Sequence, residues 1–494
     1  MTTVTRPVRH RRADLLTVMV EVALLAAAVV VGVVLNRQGV RLYADAAPLY
    51  ATWHPHLGWG TPAALLLAGL VVVRGPAWAA RASWPRLLVT GYLGALAWIL
   101  SLALVDGWST GLTRRLTPQA EYLHEVPGVT DIGAMLAGFS ARILDFQPNS
   151  WSTHTAGHPP GALLIFVWLD RIGLGGGTAA GLACVVVGAT VAVSVPVTLR
   201  ALGAEDAARA GWPFLVLFPG AVWIGASADG IFAAVVAAGL AMLTVGGRWG
   251  AAAGGLLLGF ALHLSYGFVL VGVLALTVVV LRGRDRTGVL VVAGAAVAVV
   301  VAAFTLAGFW WLDGYHLVVR RYYQGWAAER PYGYWVWANL AALLLSAGPV
   351  LGPALRRTVR AALPRRSAAV PSPPTPASTV PASTVPASTV PASAVPPSAG
   401  PRPTTPPGGP RRRMSAWREA LARPAVALPL AAAVVVVVAD LSALSKAEVE
   451  RIWLPFGVWL LVAVAHLPGG QRRGWLAVQA ATALAVNHLL LTVS

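Results

Sequence analysis

Long apolar stretches separated by short polar ones run through almost the whole chain. Stretches such as Val18 to Val34 and Val289 to Leu306 reach the roughly 20 residues that a helix needs to cross a bilayer. One helix per apolar run gives segments at about 14–35, 60–73, 87–106, 178–199, 212–227, 229–247, 250–264, 266–281, 288–309, 334–355, 421–440, 452–468 and 475–493. The expected fold is all-α, a polytopic transmembrane helix bundle of about thirteen spans. The stretch from Pro160 to Leu174 is apolar enough for a further crossing, but that crossing would put Arg200 and Arg209 on the wrong side. A short or re-entrant helix is the alternative there, since irregular backbone at membrane depth is tolerated when protein surrounds it.

Composition agrees with lipid as the solvent. Of 494 residues 57% are hydrophobic and only 11% are charged, and mean hydropathy is +0.69, far from a soluble domain with about 25% charged residues. The net charge of +18 would point to nucleic acid in a soluble protein. Here the arginines alternate with apolar segments: Arg6 to Arg12, Arg74 to Arg86, Arg200 and Arg209, Arg248, Arg282 to Arg286, Arg356 to Arg366, Arg411 to Arg423, Arg472 and Arg473. The positive-inside rule puts these clusters and the N-terminus in the cytoplasm of a multi-pass plasma-membrane protein. The charge is thus mainly a topology signal, and no nucleic-acid partner is expected. The basic N-terminal stretch and its apolar run have no small-residue cleavage site before Asn36 and Arg37, so a retained first helix is expected. The one cysteine, Cys184, offers neither a disulfide nor a thiolate metal site.

Between Leu363 and Arg411 the composition changes to Pro, Ala, Ser and Thr, and the unit Pro-Ala-Ser-Thr-Val repeats from Pro376 to Val390. Such a segment cannot bury a core. Residues 364–413 are read as a disordered cytoplasmic linker between an N-terminal module, 1–363, and a C-terminal three-helix module, 414–494.

The polar chemistry gathers in three segments on the opposite side: Asp106 to His158, Trp310 to Tyr334 and Asp440 to Arg451. The first two far exceed the usual 2–8 residue helix connections, which points to function. The first holds Glu121-Tyr122-Leu123-His124-Glu125, then Asp131, then Trp151-Ser152-Thr153-His154-Thr155-Ala156-Gly157-His158-Pro159-Pro160-Gly161. These acids and histidines supply acid, base and cation-binding capacity, or are simply solvated loop charges. Ile132, Met135, Leu136, Phe139, Ile143 and Leu144 recur at helical spacing, as an interfacial helix requires. The second segment holds Arg320, Arg321 and Tyr322 among many aromatics. The arginine fork suits phosphate, while an interfacial belt of Trp and Tyr accounts for the rings. In the third, Glu450 and Arg451 stand at the mouth of an apolar helix, as a structural ion pair or as contacts to substrate.

A helix entering from the cytoplasm, a long outer loop with an early acid, an interfacial helix and His158-Pro159-Pro160-Gly161 opening the next apolar helix resemble the GT-C superfamily. These are integral-membrane glycosyltransferases of the protein O-mannosyltransferase and aminoarabinose transferase type. The resemblance extends over Ala95 to Tyr334 and is most specific at the His-Pro-Pro-Gly phrase. It implies transfer of a sugar from a polyprenyl-phosphate donor to an envelope glycan or glycolipid hydroxyl on the outer face, by single displacement with inversion. Carried over, it makes Glu121 the base, with Glu125 or Asp131 as substitutes, and assigns substrate contacts to His154 and His158. Asp229, in Ala226-Ser227-Ala228-Asp229-Gly230, matches an aspartate following the fourth or fifth helix of such enzymes; as a bare residue it is either a functional intramembrane acid or a helix cap. His263-Leu264-Ser265-Tyr266 interrupts two apolar runs where relatives carry a basic residue near the donor phosphate, or forms a tight capped turn. Arg320, Arg321, Tyr322, Glu450 and Arg451 complete the substrate-binding set.

The chain departs from that pattern in two ways. An extra hairpin precedes the acidic loop, so Asp45 competes with Glu121, and no paired Asp-Glu or Asp-Asp stands in the expected place. No cofactor is required by the sequence; the acids and histidines could bind a divalent cation, but no metal-spaced motif is present. The alternative reading is a transporter or flippase of a lipid-linked or small polar substrate, which would place its ionisable residues near the bilayer midplane. A non-catalytic scaffold is a third.

Overall fold

The computed structural model of the chain describes residues 5–225, 227–363 and 417–492. The 364–413 linker therefore lies outside the described residues. Among the described residues the protein is about 75% helical with almost no sheet. Among the described residues, six helices are long and apolar enough to cross a membrane: Arg11–Arg37, Gly60–Arg81, Trp84–Ala103, Gly176–Ala201, Arg286–Leu306 and Pro424–Leu441. A seventh span results if Tyr332–Ala347 and Leu351–Ala362 count together, although they meet at 100°. The bend falls at Gly348, whose φ of +85° suits a residue without Cβ.

Most of the remaining apolar runs form shorter or broken helices, whereas the 475–493 run lies mostly in an unbroken helix of 21 residues, Gly469–Leu489, that is not among the six most apolar. The 212–227 run is split between Glu205–Val216 and Ala221–Ile224. The 452–468 run divides into Val449–Ile452, Leu454–Leu460 and a 3₁₀ stretch, Leu461–His466. Asp229–Met242 has 14 residues, about 21 Å at 1.5 Å per residue, against a hydrocarbon core of about 30 Å. Such short pieces are sheltered inside the bundle: most of Asp229–Met242 is buried, whereas only 17% of the apolar window of Arg11–Arg37 is. A helix screened from lipid need not match the bilayer's thickness by itself.

Tertiary contacts sort the helix ends into two rims. On one, Arg209 donates to the carbonyls of Ala79 and Ala82 (2.8 and 2.9 Å), Arg473 to that of Val73 (3.0 Å) and Arg282 to that of Leu243 (2.5 Å), while Arg356 and Arg357 pair with Asp14. On the other, Asp106 pairs with His56 (2.8 Å) and Arg115 (3.1 Å), and Asp145 pairs with Arg321 (2.8 Å). Arginine clusters read as one side of the membrane thus meet one another, and so do the acid-rich segments. The Pro160 to Leu174 run forms a short helix. Gly161–Arg171 has 11 residues, about 16 Å. Its first turn packs on His263 and its last residue, Arg171, donates to Val129 and Thr130, so both ends lie at the acid-rich rim.

The stretch expected as an interfacial helix forms Ile132–Gly138 and a 3₁₀ turn, Ser140–Arg142. Its apolar face turns inward, with Phe139 and Ile143 fully buried and Phe139 packed against Trp151 and Phe309. One small sheet was not expected. Ala51–Trp53 pairs antiparallel with Leu490–Thr492 and ties the loop between the first two long helices to the C-terminal helix Gly469–Leu489.

Candidate functional site

The acid-rich rim contains a buried chain of charged groups assembled from four distant segments. Backbone pairing starts it: His154 N donates to Ala120 O (2.9 Å), and Ser152 Oγ reaches Glu121 O (3.4 Å). The two halves of the Asp106 to His158 segment are thereby stitched together, with Glu121 and His154 opposite each other. Glu121 Oε1 lies 2.7 Å from His154 Nδ1, at an angle too bent for a hydrogen bond. On the other edge of the ring, Arg451 Nη2 donates to His154 Nε2 at 3.0 Å. A guanidinium only donates, so Nε2 is the bare nitrogen and the imidazole proton faces Glu121.

Arg451 is the centre of the assembly. Nη1 donates to Asp229 Oδ2 (3.0 Å) and Nη2 to Glu448 Oε2 (2.5 Å), while the buried Nε–H has no partner among the described residues. Burial by itself would lower the guanidinium's pKa, but Glu448, Asp229 and Glu121 outweigh it and hold the charge firmly. Burial also works against the charge on Glu448, yet Arg451, His154 and Arg330 keep its carboxyl below the ordinary value. Glu448 stands at φ +62° directly after Ala447 at φ +72°, a strained pair for residues bearing Cβ. Arg330 lies 3.7 Å from Glu448 and braces the loops around it, donating to the carbonyls of Lys446 (2.8 Å) and Leu42 (3.2 Å).

The His-Pro-Pro-Gly phrase acts as a clamp beside this chain. His158 Nδ1 donates to Leu264 O at 2.8 Å, and its ring lies against Tyr122 and Phe232. Burial lowers the pKa of that imidazole. At Gly161 a Cβ would come within 2.5 Å of the His263 carbonyl oxygen, so only glycine permits this approach. Tyr122, fully enclosed, stacks on Phe166 (5.4 Å) and His154 (6.2 Å) and so joins the clamp to the charged chain.

Of the residues singled out from sequence, Glu121, His154, Asp229 and Arg451 converge on one point. The others lie elsewhere or have structural contacts. Glu125 accepts from Ser152 N (2.7 Å) and pairs with Arg142 (3.3 Å), whose guanidinium covers the Trp151 ring. Asp131 caps its helix by accepting from Ala134 N (2.6 Å). His263 is buried against Phe304 and donates to Gly259 O (2.9 Å). Tyr266 packs on Trp311 and Tyr315. Arg321 pairs with Asp145, Arg320 is exposed, and the Tyr322 hydroxyl accepts from Lys446 N (2.9 Å). Glu450 is buried beside Tyr50, and that burial pushes its carboxyl up to about 7. Asp45 is exposed. Glu448 and Arg330 were missed as site residues; the one local signal for Glu448 is its place three residues before Arg451. Among the described residues, no group of three or more His, Cys, Asp or Glu is arranged to hold a metal.

Comparison with protein-family profiles, with characterised proteins and with solved structures found no match to this chain.

Proposed function

We propose that the protein is an integral-membrane glycosyltransferase that moves a sugar from a polyprenyl-phosphate donor to a hydroxyl of an envelope glycan or glycolipid on the extracytoplasmic face. The observation that carries this reading is Arg451: a buried guanidinium with an unspent Nε–H, next to a Glu121–His154 pair at the acid-rich rim. Transfer needs a cation for the phosphate that departs and a base for the hydroxyl that attacks. Arg451 offers the first and Glu121 the second. The acceptor oxygen bonds to the anomeric carbon as the carbon–oxygen bond to phosphate breaks. The hydroxyl proton passes to Glu121, and polyprenyl phosphate leaves with the bonding electrons.

In this scheme Glu448 holds the place of a phosphate oxygen and gives it up when the donor arrives, because it sits on a strained loop whereas Asp229 begins a helix. The finer topology belongs to the same proposal: about thirteen passes, with the Arg-rich rim and the N-terminus cytoplasmic. The rim-to-rim course of short helices supports it. Asp229–Met242, for example, starts at Arg451 and ends beside Leu243, which Arg282 contacts on the opposite rim.

The test is release of polyprenyl phosphate by the full chain in membranes supplied with a panel of labelled polyprenyl-phosphate sugars. Glu121→Gln and Arg451→Met should each lower the rate by about a hundredfold or more. Wild-type rates in both variants would sink the assignment. Donor or solute movement without breakdown would favour the transporter.

A further inference from the structure

We propose that Tyr43, Trp326 and Glu329 form a saccharide-binding subsite, taking one neutral sugar ring of a glycan next to the candidate active site. Its role as acceptor site rests on the glycosyltransferase reading; the binding itself does not.

The Tyr43 and Trp326 rings lie parallel, 3° apart in plane with centroids 5.0 Å apart, and Trp326 is 57% exposed. At the edge of this platform Glu329 accepts from the Tyr43 hydroxyl (2.5 Å) and from Arg41 Nη1 (2.8 and 3.0 Å), and both charged side chains remain open to solvent. A flat aromatic face beside an exposed carboxylate and guanidinium is what a sugar ring requires. Its apolar C–H face covers the ring, and its hydroxyls donate to the carboxylate and accept from the guanidinium. The opposite charges of Arg41 and Glu329 offset each other, which favours a neutral ring over a charged one.

The platform is held in place rather than incidental to a membrane-interface belt. Tyr43 has φ +50°, an uncommon conformation for a residue with Cβ. Its carbonyl accepts from Arg330 Nη2 (3.4 Å), and that buried guanidinium also lies 6.0 Å from the centre of the Trp326 ring. The same guanidinium is 3.7 Å from Glu448, which holds Arg451. One side chain therefore braces both the platform and the charged chain, so a glycan seated on Trp326 lies within a few residues of the reacting groups. An interfacial tryptophan needs neither a stacked partner nor a shared carboxylate.

The experiment measures binding of mannotriose, an arabinofuranose trisaccharide and chitotriose to the full chain in nanodiscs by saturation-transfer NMR, for wild type, Trp326→Ala, Trp326→Phe and Glu329→Gln. At least one trisaccharide should bind the wild type. Trp326→Ala should weaken that binding at least tenfold, Glu329→Gln severalfold, and Trp326→Phe least. No binding by the wild type, or equal binding by Trp326→Ala, overturns the subsite even if Arg451→Met abolishes donor breakdown. Binding that depends on Trp326 without donor breakdown by the wild type would keep the subsite and overturn the transferase reading.

Discussion

Replacing Arg451 by Met keeps an unbranched apolar stem and removes the charge and every N–H donor. Asp229 Oδ2, at 3.0 Å, and Glu448 Oε2, at 2.5 Å, then lose their cation in a site where the arginine side chain is 8% exposed. Two unit charges about 4 Å apart at an effective dielectric near 20 attract by about 4 kcal/mol. Breaking one buried pair by removing a single partner typically costs about 3–5 kcal/mol, because the remaining charge is stranded. The stranded acids can take up protons, which limits the loss towards the lower figure. The assay is thermal stability of the nanodisc-embedded protein for Arg451→Met, Asp229→Asn and the double variant. Asp229→Asn removes the stranded charge, so the double variant should be more stable than the two single losses added together, by at least about 1 kcal/mol. Strict additivity, within about 0.5 kcal/mol, would refute the claim that these residues form a buried ion pair.

Glu450 should make stability depend on pH. Its carboxyl keeps a proton up to about 7 in the fold but ionises near the ordinary 4.5 when unfolded, so stability falls as pH rises through that window. Glu450→Gln should flatten a melting-temperature series taken from pH 5 to 8. Gly161→Ala would push a methyl group against the His263 carbonyl oxygen, 2.5 Å from where the Cβ must sit; a loss of about 1–3 kcal/mol and a weakened clamp should appear as a lower melting temperature. Asp131→Ala should cost about 1 kcal/mol as a lost helix cap while donor turnover persists, which a chemical denaturation series and the release assay would show together. Glu125→Gln keeps an acceptor for Ser152 N and loses only the partly buried pair with Arg142, so release should stay near wild type, in contrast to Glu121→Gln.

The membrane class was legible because bilayer thickness is written into run length, and Arg11–Arg37 and Arg286–Leu306 return as long apolar helices. Individual spans were less legible. The 212–227 run has the composition of a crossing, yet the helix from Glu205 stops at Val216 and a new one starts at Ala221. Hydropathy cannot distinguish a lipid-facing helix from a short one enclosed by others, since both are apolar all round. The inward turn of Phe139 and Ile143 has the same origin: helical spacing specifies one apolar face without saying whether lipid or protein covers it.

By itself, the sequence determined the solvent the chain lives in and the separation of Arg-rich from acid-rich ends, because local composition fixes both. It also marked Glu121, His154, Asp229 and Arg451 as chemically able residues. Only the tertiary structure decided that these four meet. Arg451 stands 222 positions from Asp229 and 297 from His154, across a stretch of chain dominated by Pro, Ala, Ser and Thr. Nothing local encodes such a pairing; it exists because the helices after that stretch pack back among those before it, and burying one arginine there requires acids to surround it.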